Sequence, residues 1–352
     1  MEKKKASLGD VAKAAGVSTV AASFALRNRP GVSQATRERV FRIAKRLGYV
    51  PDARIGSWMA RMRGAKSKEM LPIVWLNTAE DKDAWQKFAY FSPSLQGARE
   101  RCGQLGYRIE EIWTRQPGVT MQSISKMLHH RGIEGVIVTH PARHLRLNLE
   151  RCAAVGLGGT LVAPKLDQVM PHNNFNLMLA IKSVRRLGYS RIGVCLAEHM
   201  DQGSRHTLRA IAYNYYHSTP KSDAVQPLFY KGESAPHWEI SREQVASWLR
   251  AHTPDVVVGH TNYLMNWVEY AGFRVPTEVG VIHLAVDDDV LDWAGVHSHR
   301  REIGGAAAEK VISLVQNRQF GVPRCASEIL IRGKWHEGRT LLIPKPTQLT
   351  LK

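Results

Sequence analysis

The chain has 352 residues, 44% hydrophobic and 8% aromatic, which is typical of a soluble globular protein with one small domain and one large or two-lobed domain. No apolar run approaches membrane length, and the basic start leads into a helix cap instead of a signal core, so we expect a cytoplasmic protein without a membrane partner. Four cysteines stand singly, with no Cys-x-x-Cys, so the sequence suggests neither a zinc knuckle nor a disulfide framework. Most of the net charge of +18 is concentrated at one end: residues 1 to 68 hold 16 Lys and Arg against 4 Asp and Glu, a surplus of 12.

Residues 7 to 50 predict three short helices. Ser7 and Asp10 have the spacing of a capping box, and the first helix has an apolar stripe of Leu8, Val11, Ala12 and Ala15 before Gly16 breaks it. Ser18 can cap a second helix with a buried face of Val17, Ala21, Ala22, Ala25 and Leu26 and an outward face of Thr19, Val20, Ser23, Phe24 and Arg27. Ser33 can cap a third helix, which runs to Gly48 with an apolar stripe of Val40, Ile43, Ala44 and Leu47. A glycine-bearing turn between the first two helices is typical of a helix-turn-helix.

The alternative for this segment is a three-helix bundle that binds no nucleic acid. The charge favours DNA, because two thirds of the net positive charge lies on about a fifth of the chain, as expected where phosphates dock.

Three sequence motifs resemble the LacI/GalR repressor family. They are Leu8-x-Asp10-Val11-Ala12-x-x-Ala15-Gly16-Val17-Ser18, Val32-Ser33-x-x-Thr36-Arg37-x-Arg39-Val40 and Leu47-Gly48-Tyr49-x-Pro51. The resemblance implies a head that reads the major groove of DNA, a hinge helix that enters the minor groove, and a body like the periplasmic sugar-binding proteins. The DNA-binding residues that it implies are Ser7, Ser18, Thr19, Val20, Ser23, Phe24, Arg27, Asn28 and Ser33 in the head, and Ile55 and Trp58 in the hinge.

Phe24 departs from the pattern of many relatives, which carry an arginine at this place. An arginine can bind guanine with two hydrogen bonds, whereas Phe24 and Val20 can only contact thymine methyl groups. We therefore expect thymines in the half-site. The alternative is that Phe24 packs back onto the core of the head.

Residues 51 to 68 are predicted to form the hinge helix and a linker. The helical stretch after Pro51 is too short to be stable alone in water and should fold on DNA or against a partner. The resemblance places Trp58 where a leucine wedge is usual and Ile55 where alanine is usual, so Trp58 could be inserted between base pairs. The alternative is a Trp58 ring packed under the body.

Residues 69 to 340 alternate between apolar strand-like and helix-like segments, which predicts two α/β lobes with parallel sheets, followed by a tail at 341 to 352. The strands are expected at 73 to 76, 108 to 113, 135 to 138, 161 to 162, 192 to 196, 256 to 258 and 279 to 282. The helices are expected at 93 to 105, 121 to 130, 177 to 187, 242 to 251 and 302 to 315, with a turn at 156 to 159.

In open parallel sheets, ligands bind beyond the carboxyl ends of the strands. The loops there combine aromatic rings with amides, carboxylates and an arginine, which suits a polyhydroxylated ligand. Our candidate ligand-binding residues are Asn77, Asp81, Trp85, Tyr90, Phe91, His140, Arg209, Asn262 and Asp287. For several of them, a solvated loop or a structural contact is the alternative. The aspartate that is common at one strand end in relatives is replaced here by Ala285.

Motifs for other chemistry are missing. The Asp287-Asp288-Asp289 run lacks the spacing and glycine of a calcium loop, and the paired histidines lack a third metal ligand. No phosphate-loop, dinucleotide or serine-hydrolase motif is present, so we expect neither a cofactor nor an enzyme. We interpret the chain as a homodimeric transcription repressor that binds a double-stranded operator under control of a small-molecule effector, expected to be a sugar. The alternatives are a sensor whose head recruits a protein, and a carbohydrate-acting enzyme.

Overall fold

The computed structural model describes residues 7–26, 31–47, 49, 70–87, 91–139, 142–198, 206–232, 237–287 and 290–342. Packing divides the chain into two compact units, residues 1–68 and residues 69–352, which we call the head and the body. Every helix within the described ranges is too short or too polar to bridge a lipid bilayer.

The head contains three helices among its described residues: α1 (Leu8–Ala15), α2 (Thr19–Leu26) and α3 (Gln34–Leu47). The predicted capping box is present at the start of α1. The Ser7 hydroxyl accepts the Asp10 amide proton at 3.2 Å, and the Asp10 carboxylate accepts the Ser7 amide proton at 2.8 Å. Gly16 ends α1 in the left-handed conformation at a φ of 62°, where a side chain would be strained.

Small apolar side chains form the core of the head, which lets the short helices pack closely. Its buried members are Val11, Ala12, Ala15, Ala22, Ala25, Val40 and Ala44. Most of the predicted apolar positions therefore face inward. Leu47 is an exception among the described residues, because it is exposed at the end of α3 and does not face the core of the head as the predicted apolar stripe implies.

The body consists of two α/β lobes. Its strands are β1 (Leu71–Asn77), β2 (Tyr107–Trp113), β3 (Gly135–Val138), β4 (Ala153–Leu157), β5 (Asp167–Pro171), β6 (Ile192–Ala197), β7 (Leu228–Tyr230), β8 (Val256–Gly259), β9 (Gly280–Val286), β10 (Ala294–His297), β11 (Glu328–Ile331) and β12 (Lys334–His336). Its helices are α4 (Ala84–Lys87), α5 (Ser92–Gln104), α6 (Met121–His130), α7 (Asn173–Arg186), α8 (Thr207–Ser218), α9 (Trp238–His252), α10 (Leu264–Tyr270) and α11 (Arg300–Gln316).

The first sheet has the order β11-β5-β4-β3-β1-β2, with every neighbouring pair parallel. The second sheet has the order β12-β10-β9-β8-β6-β7, in which only the pair of β10 and β12 is antiparallel. Each sheet has a hydrophobic cluster on both faces, so the strands are buried from two sides as in doubly wound folds. The predicted fold class is confirmed.

Helices α5 and α11 cross at backbone contact on one face of the first sheet. A Cβ atom added to Gly304 would overlap the backbone carbonyl oxygen of Ser94, and one added to Gly97 would overlap that of Arg301. Glycine is therefore required at both positions for the two helices to approach this closely.

One predicted strand is wrong. Leu161 and Val162 form no strand; instead, the Val162 amide donates to the Arg143 carbonyl at 2.8 Å, which holds a loop against another loop. The strand that precedes them is β4, whose last two residues, Gly156 and Leu157, overlap the turn predicted at 156 to 159. Its run of alanine and glycine has little strand propensity, and the sheet on both sides of it decides its conformation.

Two sets of contacts attach late segments of the chain to the two lobes. Asp167, at the start of β5, accepts hydrogen bonds from the amide and the hydroxyl of Ser327. Its carboxylate also forms an ion pair with Lys310 at 3.0 Å. Burial works to raise the pKa of this carboxyl group, but the bonds from Ser327 and Lys310 outweigh it and hold the pKa below its ordinary value. At the last described residues, Leu341 is buried in the second lobe, and the Leu342 backbone forms hydrogen bonds with the Tyr189 hydroxyl.

Candidate functional site

The first residues of α2 form the most exposed side-chain surface of that helix. The Ser18 hydroxyl accepts the Ala21 amide proton at 3.1 Å and so caps α2, while Ala22 and Ala25 anchor its other face in the core. Thr19 is exposed and Val20 is 60% exposed. The helix therefore presents one hydroxyl and one apolar side chain at its start, on a rigid support.

The other candidate DNA-binding residues have different surroundings. Ser7 and Ser33 use their hydroxyl groups to cap α1 and α3, and Ser33 accepts the Thr36 amide proton at 3.3 Å. Ser23 and Phe24 are half-buried, and Phe24 stands outside the core cluster of the head. Arg27, Asn28, Ile55 and Trp58 lie outside the described residues.

Basic side chains cover the solvent face of α3. Exposed side chains there include Arg39, Arg42, Lys45 and Arg46, with one acidic residue, Glu38, on the same helix. Part of the basic surplus found in the sequence is thus displayed on the surface of α3, where it can attract phosphate groups.

Three chain segments connect the two lobes of the body. They are the links from β5 to α7, from β10 to α11 and from β11 to β12. In the first two links, a strand leaves its sheet at the carboxyl end and continues into a helix that packs on the other sheet. The carboxyl edges of both sheets therefore lie beside the links, and we call the space between these edges the cleft.

The three links also contact one another. The His172 amide in the first link donates at 2.8 Å to the carbonyl of Ile331, the last residue of β11 before the third link. The Asn176 side-chain oxygen accepts the Gly333 amide proton at 2.9 Å, and a Cβ atom on Gly333 would press on the carbonyl of His297, the last residue of β10 before the second link. Movement of one lobe against the other must therefore act on all three links together.

At the carboxyl edge of the first sheet, the candidate ligand residues differ strongly in accessibility. Asn77 is 1% exposed; its amide donates to the Lys82 carbonyl at 2.8 Å and its oxygen accepts the Ala79 amide proton at 3.0 Å, so it shapes the loop. Trp85 is also 1% exposed and packs edge-on against Trp75 inside the core. Phe91 is half-buried beside Trp85, whereas Asp81 is exposed. Tyr90 and His140 lie outside the described residues.

At the carboxyl edge of the second sheet, Arg209 lies over the ring of Phe229, with its guanidinium carbon 4.3 Å from the ring centroid. A guanidinium nitrogen of Arg209 lies 3.9 Å from the Glu198 carboxylate. Asn262 is exposed in the loop after β8. Asp287 is 4% exposed, and its carboxylate accepts hydrogen bonds from Ser298 at 2.9 Å and from Arg300. Asp287 therefore ties the end of β9 to the link into α11.

Sequence reasoning missed two groups at these edges. The first comprises Arg115 and Arg143, which line a cavity of about 270 Å³. The second is an aromatic cluster in which Trp238 lies 6.0 Å from Tyr263 and 6.4 Å from Trp267, with the Arg242 guanidinium 4.8 Å above the Trp238 ring. The signal for the second group was available, because Trp238 begins the helix that follows β7, at a strand end.

The described residues hold no group of three or more His, Cys, Asp or Glu side chains placed to bind a metal ion. His297 and His299 lie with their rings 4.7 Å apart beside the second link. Burial, together with the neighbouring His299, lowers the pKa of His297, so the His297 imidazole is predominantly neutral near pH 7.

Comparison with known proteins gives consistent results. Residues 7–52 match the family described as bacterial regulatory proteins, lacI family. The HTH-type transcriptional repressor PurR of Vibrio atlanticus (strain LGP32) is 23% identical over 329 residues, which cover 89% of this chain and 93% of that repressor.

Two solved structures have a similar fold over nearly the whole chain. The transcriptional regulator CelR in complex with cellobiose has a TM-score of 0.57 at 15% identity, covering 95% of this chain and 99% of the solved one. The lac repressor dimer bound to operator and the anti-inducer ONPF has a TM-score of 0.55 at 16% identity, covering 96% and 99%. The resemblance predicted from the sequence is confirmed. Residues 7–52 thus resemble the lacI family of bacterial regulatory proteins, and the chain as a whole shares the fold of these two solved regulators.

Proposed function

We propose that this protein is a homodimeric transcription repressor whose affinity for its operator changes when a sugar or sugar derivative binds in the cleft. The head reads the operator, residues 51 to 68 provide the hinge, and the two-lobed body from residue 69 onward binds the effector and its dimer partner. The observation that carries the proposal is the capped start of α2, which exposes Thr19 and Val20 on a head with a surplus of 12 positive charges.

The chemistry of this surface suggests which bases it would contact. Val20 has no hydrogen-bonding group, so it can recognise a base only through apolar contact, and the thymine methyl group offers that contact in the major groove. Thr19 can donate or accept one hydrogen bond beside it. Phe24 follows one turn after Val20, half-buried, so an edge of its ring can reach the same groove.

A homodimer follows from the small size of the head. A single head of this kind buries too little surface for tight specific binding, whereas two heads on a near-palindromic operator double the contacts. Ile55 and Trp58 belong to the proposed hinge, where the Trp58 ring would act as an apolar wedge between base pairs of the minor groove.

The effector would act through the three links between the lobes. A ligand that contacts the carboxyl edges of both sheets favours one relative position of the lobes, and the links contact one another, so the change involves all three. A coupling free energy of about 1–3 kcal/mol between the two sites is enough to change operator occupancy severalfold. The solved structure of the transcriptional regulator CelR is a complex with cellobiose, which supports a carbohydrate as the first class to test.

The test is operator binding by the full chain. Duplexes selected from random sequence should include a near-palindrome, and its binding constant should fall steeply with salt, since each neutralised phosphate contributes about −0.9 to the slope of log K against log salt. A head that recruits a protein instead of DNA would bind no duplex at low or at high salt.

Two matched variants test base contact by Phe24. Phe24→Ala should change the preference among half-sites that differ at thymine positions, because it removes an apolar contact with a base. Phe41→Ala removes the same side chain from an exposed position on α3 and should leave the preference unchanged. Identical half-site preferences for Phe24→Ala and the unmodified protein would contradict base contact by Phe24.

The proposed wedge can be followed by fluorescence. In a variant whose only tryptophan is Trp58, operator binding should quench the emission of the indole when it stacks between bases. Unchanged emission at saturating operator would speak against insertion, while the binding constant itself would still report on the head.

A further inference from the structure

A cavity of about 510 Å³ opens between helix α6 and residues 146–152, the segment that leads into β4. Ile133 and Cys152, which lie just before β3 and β4, line it, so we call it the amino-edge cavity. It shares no lining residue with the cavity of about 270 Å³ at the carboxyl edge. We propose that the amino-edge cavity is a second ligand site, separate from the cleft, for a small organic anion with at least two negative charges.

One wall of the amino-edge cavity is a continuous face of α6. Its members stand at positions i, i+3, i+4 and i+7 of the helix and are Gln122, Ser125, Lys126 and His129. Residues with this spacing follow one side of a helix. The helix buries Ile124 in the first lobe, so it is anchored there while its polar face borders the cavity.

The opposite wall is an extended segment with alternating burial. Every second residue in it packs into the hydrophobic cluster of the first lobe, namely Leu145, Leu147 and Leu149. Successive side chains of an extended chain point to opposite sides. The residues between the leucines therefore line the cavity, and they are Arg146, Asn148 and Glu150.

Ser125 joins the two walls. Its hydroxyl donates to the Met121 carbonyl at 2.7 Å and accepts the Asn148 amide proton at 3.0 Å. The Asn148 side-chain oxygen accepts the Glu150 amide proton at 2.9 Å, and the Cys152 thiol donates to the Asn148 carbonyl at 3.6 Å. The backbone of the site is thus held in place before a ligand arrives, which lowers the entropy cost of binding.

Positive charge predominates in the lining. Its basic residues are Lys126, Arg146 and Arg151. Their three positive charges face one negative charge in the wall, that of Glu150, which leaves a surplus of two. Within the part of the chain that the structure describes, these basic side chains form no ion pair. Arg151 has one long contact, with a guanidinium nitrogen 3.5 Å from Nδ1 of His129. The surplus therefore attracts an anion that carries two charges.

The donors and the floor of the cavity suit an organic anion. Lys126 and Arg146 form no hydrogen bond with another described residue, and an arginine guanidinium matches the geometry of phosphate and carboxylate oxygens. Leu128, Ile133 and Cys152 provide a buried, mainly apolar floor. Burial raises the pKa of the Cys152 thiol to about 11, so this group stays neutral at pH 7 and does not repel an anion. A ligand with an apolar part beside its charged groups can use both surfaces.

The size of the amino-edge cavity favours a small molecule. Its volume lies within the range for small-molecule sites, about 300–1,000 Å³, so it accommodates two charged groups and the carbon skeleton that joins them.

The test uses the full-length protein at constant ionic strength and four probes: phenyl phosphate, phthalate, inorganic phosphate and the neutral compound benzamide. Isothermal titration should show saturable binding of phenyl phosphate or phthalate, tighter than that of inorganic phosphate and at least tenfold tighter than that of benzamide. Raising the salt concentration should weaken this binding, because the charges of the lining are exposed. The preferred probe tells whether the anionic group is a phosphate or a carboxylate.

Two pairs of matched variants assign the binding to the amino-edge cavity. Lys126→Gln and Arg146→Gln should each weaken binding of the preferred anion about tenfold, as expected when a charge-assisted hydrogen bond is lost. Lys221→Gln and Arg324→Gln, at exposed positions outside the cavity, should change it less than twofold.

A fifth variant should have the opposite effect. Glu150→Gln removes the negative charge of the wall and should strengthen anion binding about threefold or more. A damaged fold cannot produce this gain, so the result separates a charge effect from a loss of structure.

The proposal is overturned if neither organic anion binds saturably, if benzamide binds as tightly as the anions, or if Lys126→Gln and Arg146→Gln retain full affinity. Unchanged or weaker binding by Glu150→Gln would contradict it as well. Duplex binding tests the repressor function on the same samples, and its outcome is independent of these measurements.

Discussion

The buried ion pair between Asp287 and Arg300 offers the most direct test of how the second lobe is tied to its link. The two side chains are 4% and 7% exposed, and they join the end of β9 to the first residue of α11. In Asp287→Ala the guanidinium loses its carboxylate inside the protein. Removal of one partner from a buried pair typically costs about 3–5 kcal/mol. With a urea m value of about 3 kcal/mol/M, the unfolding midpoint of the body should fall by roughly 1–1.7 M.

The matched control is Asp292→Ala, which removes the carboxylate of an exposed pair with Arg339 in the same lobe. That change should cost at most about 1 kcal/mol, since water screens the pair. A double variant, Asp287→Ala with Arg300→Met, separates lost charge compensation from lost packing. It should recover part of the stability, because no buried cation then lacks its carboxylate. If Asp287→Ala shifts the midpoint no more than Asp292→Ala, the ion pair does not fasten the link.

Two further predictions concern the first lobe. Gly304→Ala should lower the free energy of unfolding in urea by about 1–3 kcal/mol, because the new methyl group would overlap the Ser94 carbonyl. Gly103→Ala should raise it by about 0.5–1 kcal/mol, because no atom lies within 4 Å of the added Cβ. The Asp167 carboxylate, paired with Lys310, should stabilise the fold above its unfolded-state pKa of 3.8 and lose this effect as the pH falls through its lower folded-state pKa. Asp167→Asn should therefore unfold earlier in urea at pH 7 but converge with the unmodified protein at low pH; a constant difference from pH 7 to pH 3 would contradict the assignment.

Local sequence determines much of the head. The cap at Ser7, the break at Gly16 and the small inward residues each act within a few positions of the chain, so the spacing alone predicts them. The long apolar strands of the body are predictable for a similar reason. Strand β4 is different, because alanine and glycine adopt a strand there only where β3 and β5 supply hydrogen bonds from both sides.

The side chains at the strand ends are harder to predict, because identical residue types serve binding and architecture. Asn77 and Trp85 have the composition of a sugar site, yet one shapes a loop and the other fills the core beside Trp75. The partner of Asp287 is 13 positions away, in a different element. The spacing of Asp287 and Arg300 in the sequence does not predict this contact, because the two residues are brought together by the second sheet and the link into α11. Their roles in ligand binding stay predictions.

The links explain why a ligand in the cleft can affect the rest of the molecule. The cavity with Arg143 opens at the ends of strands in the first sheet, and Arg209 lies at the corresponding edge of the second sheet. Between these edges, Asn176 bonds to Gly333, and Gly333 leaves no room for a side chain beside His297. Packed elements of this kind change between discrete arrangements more readily than they deform continuously. A ligand that binds one arrangement of the lobes more tightly therefore favours that arrangement as a whole. The equilibrium between the two arrangements shifts by at most the difference in the ligand's binding free energy for them.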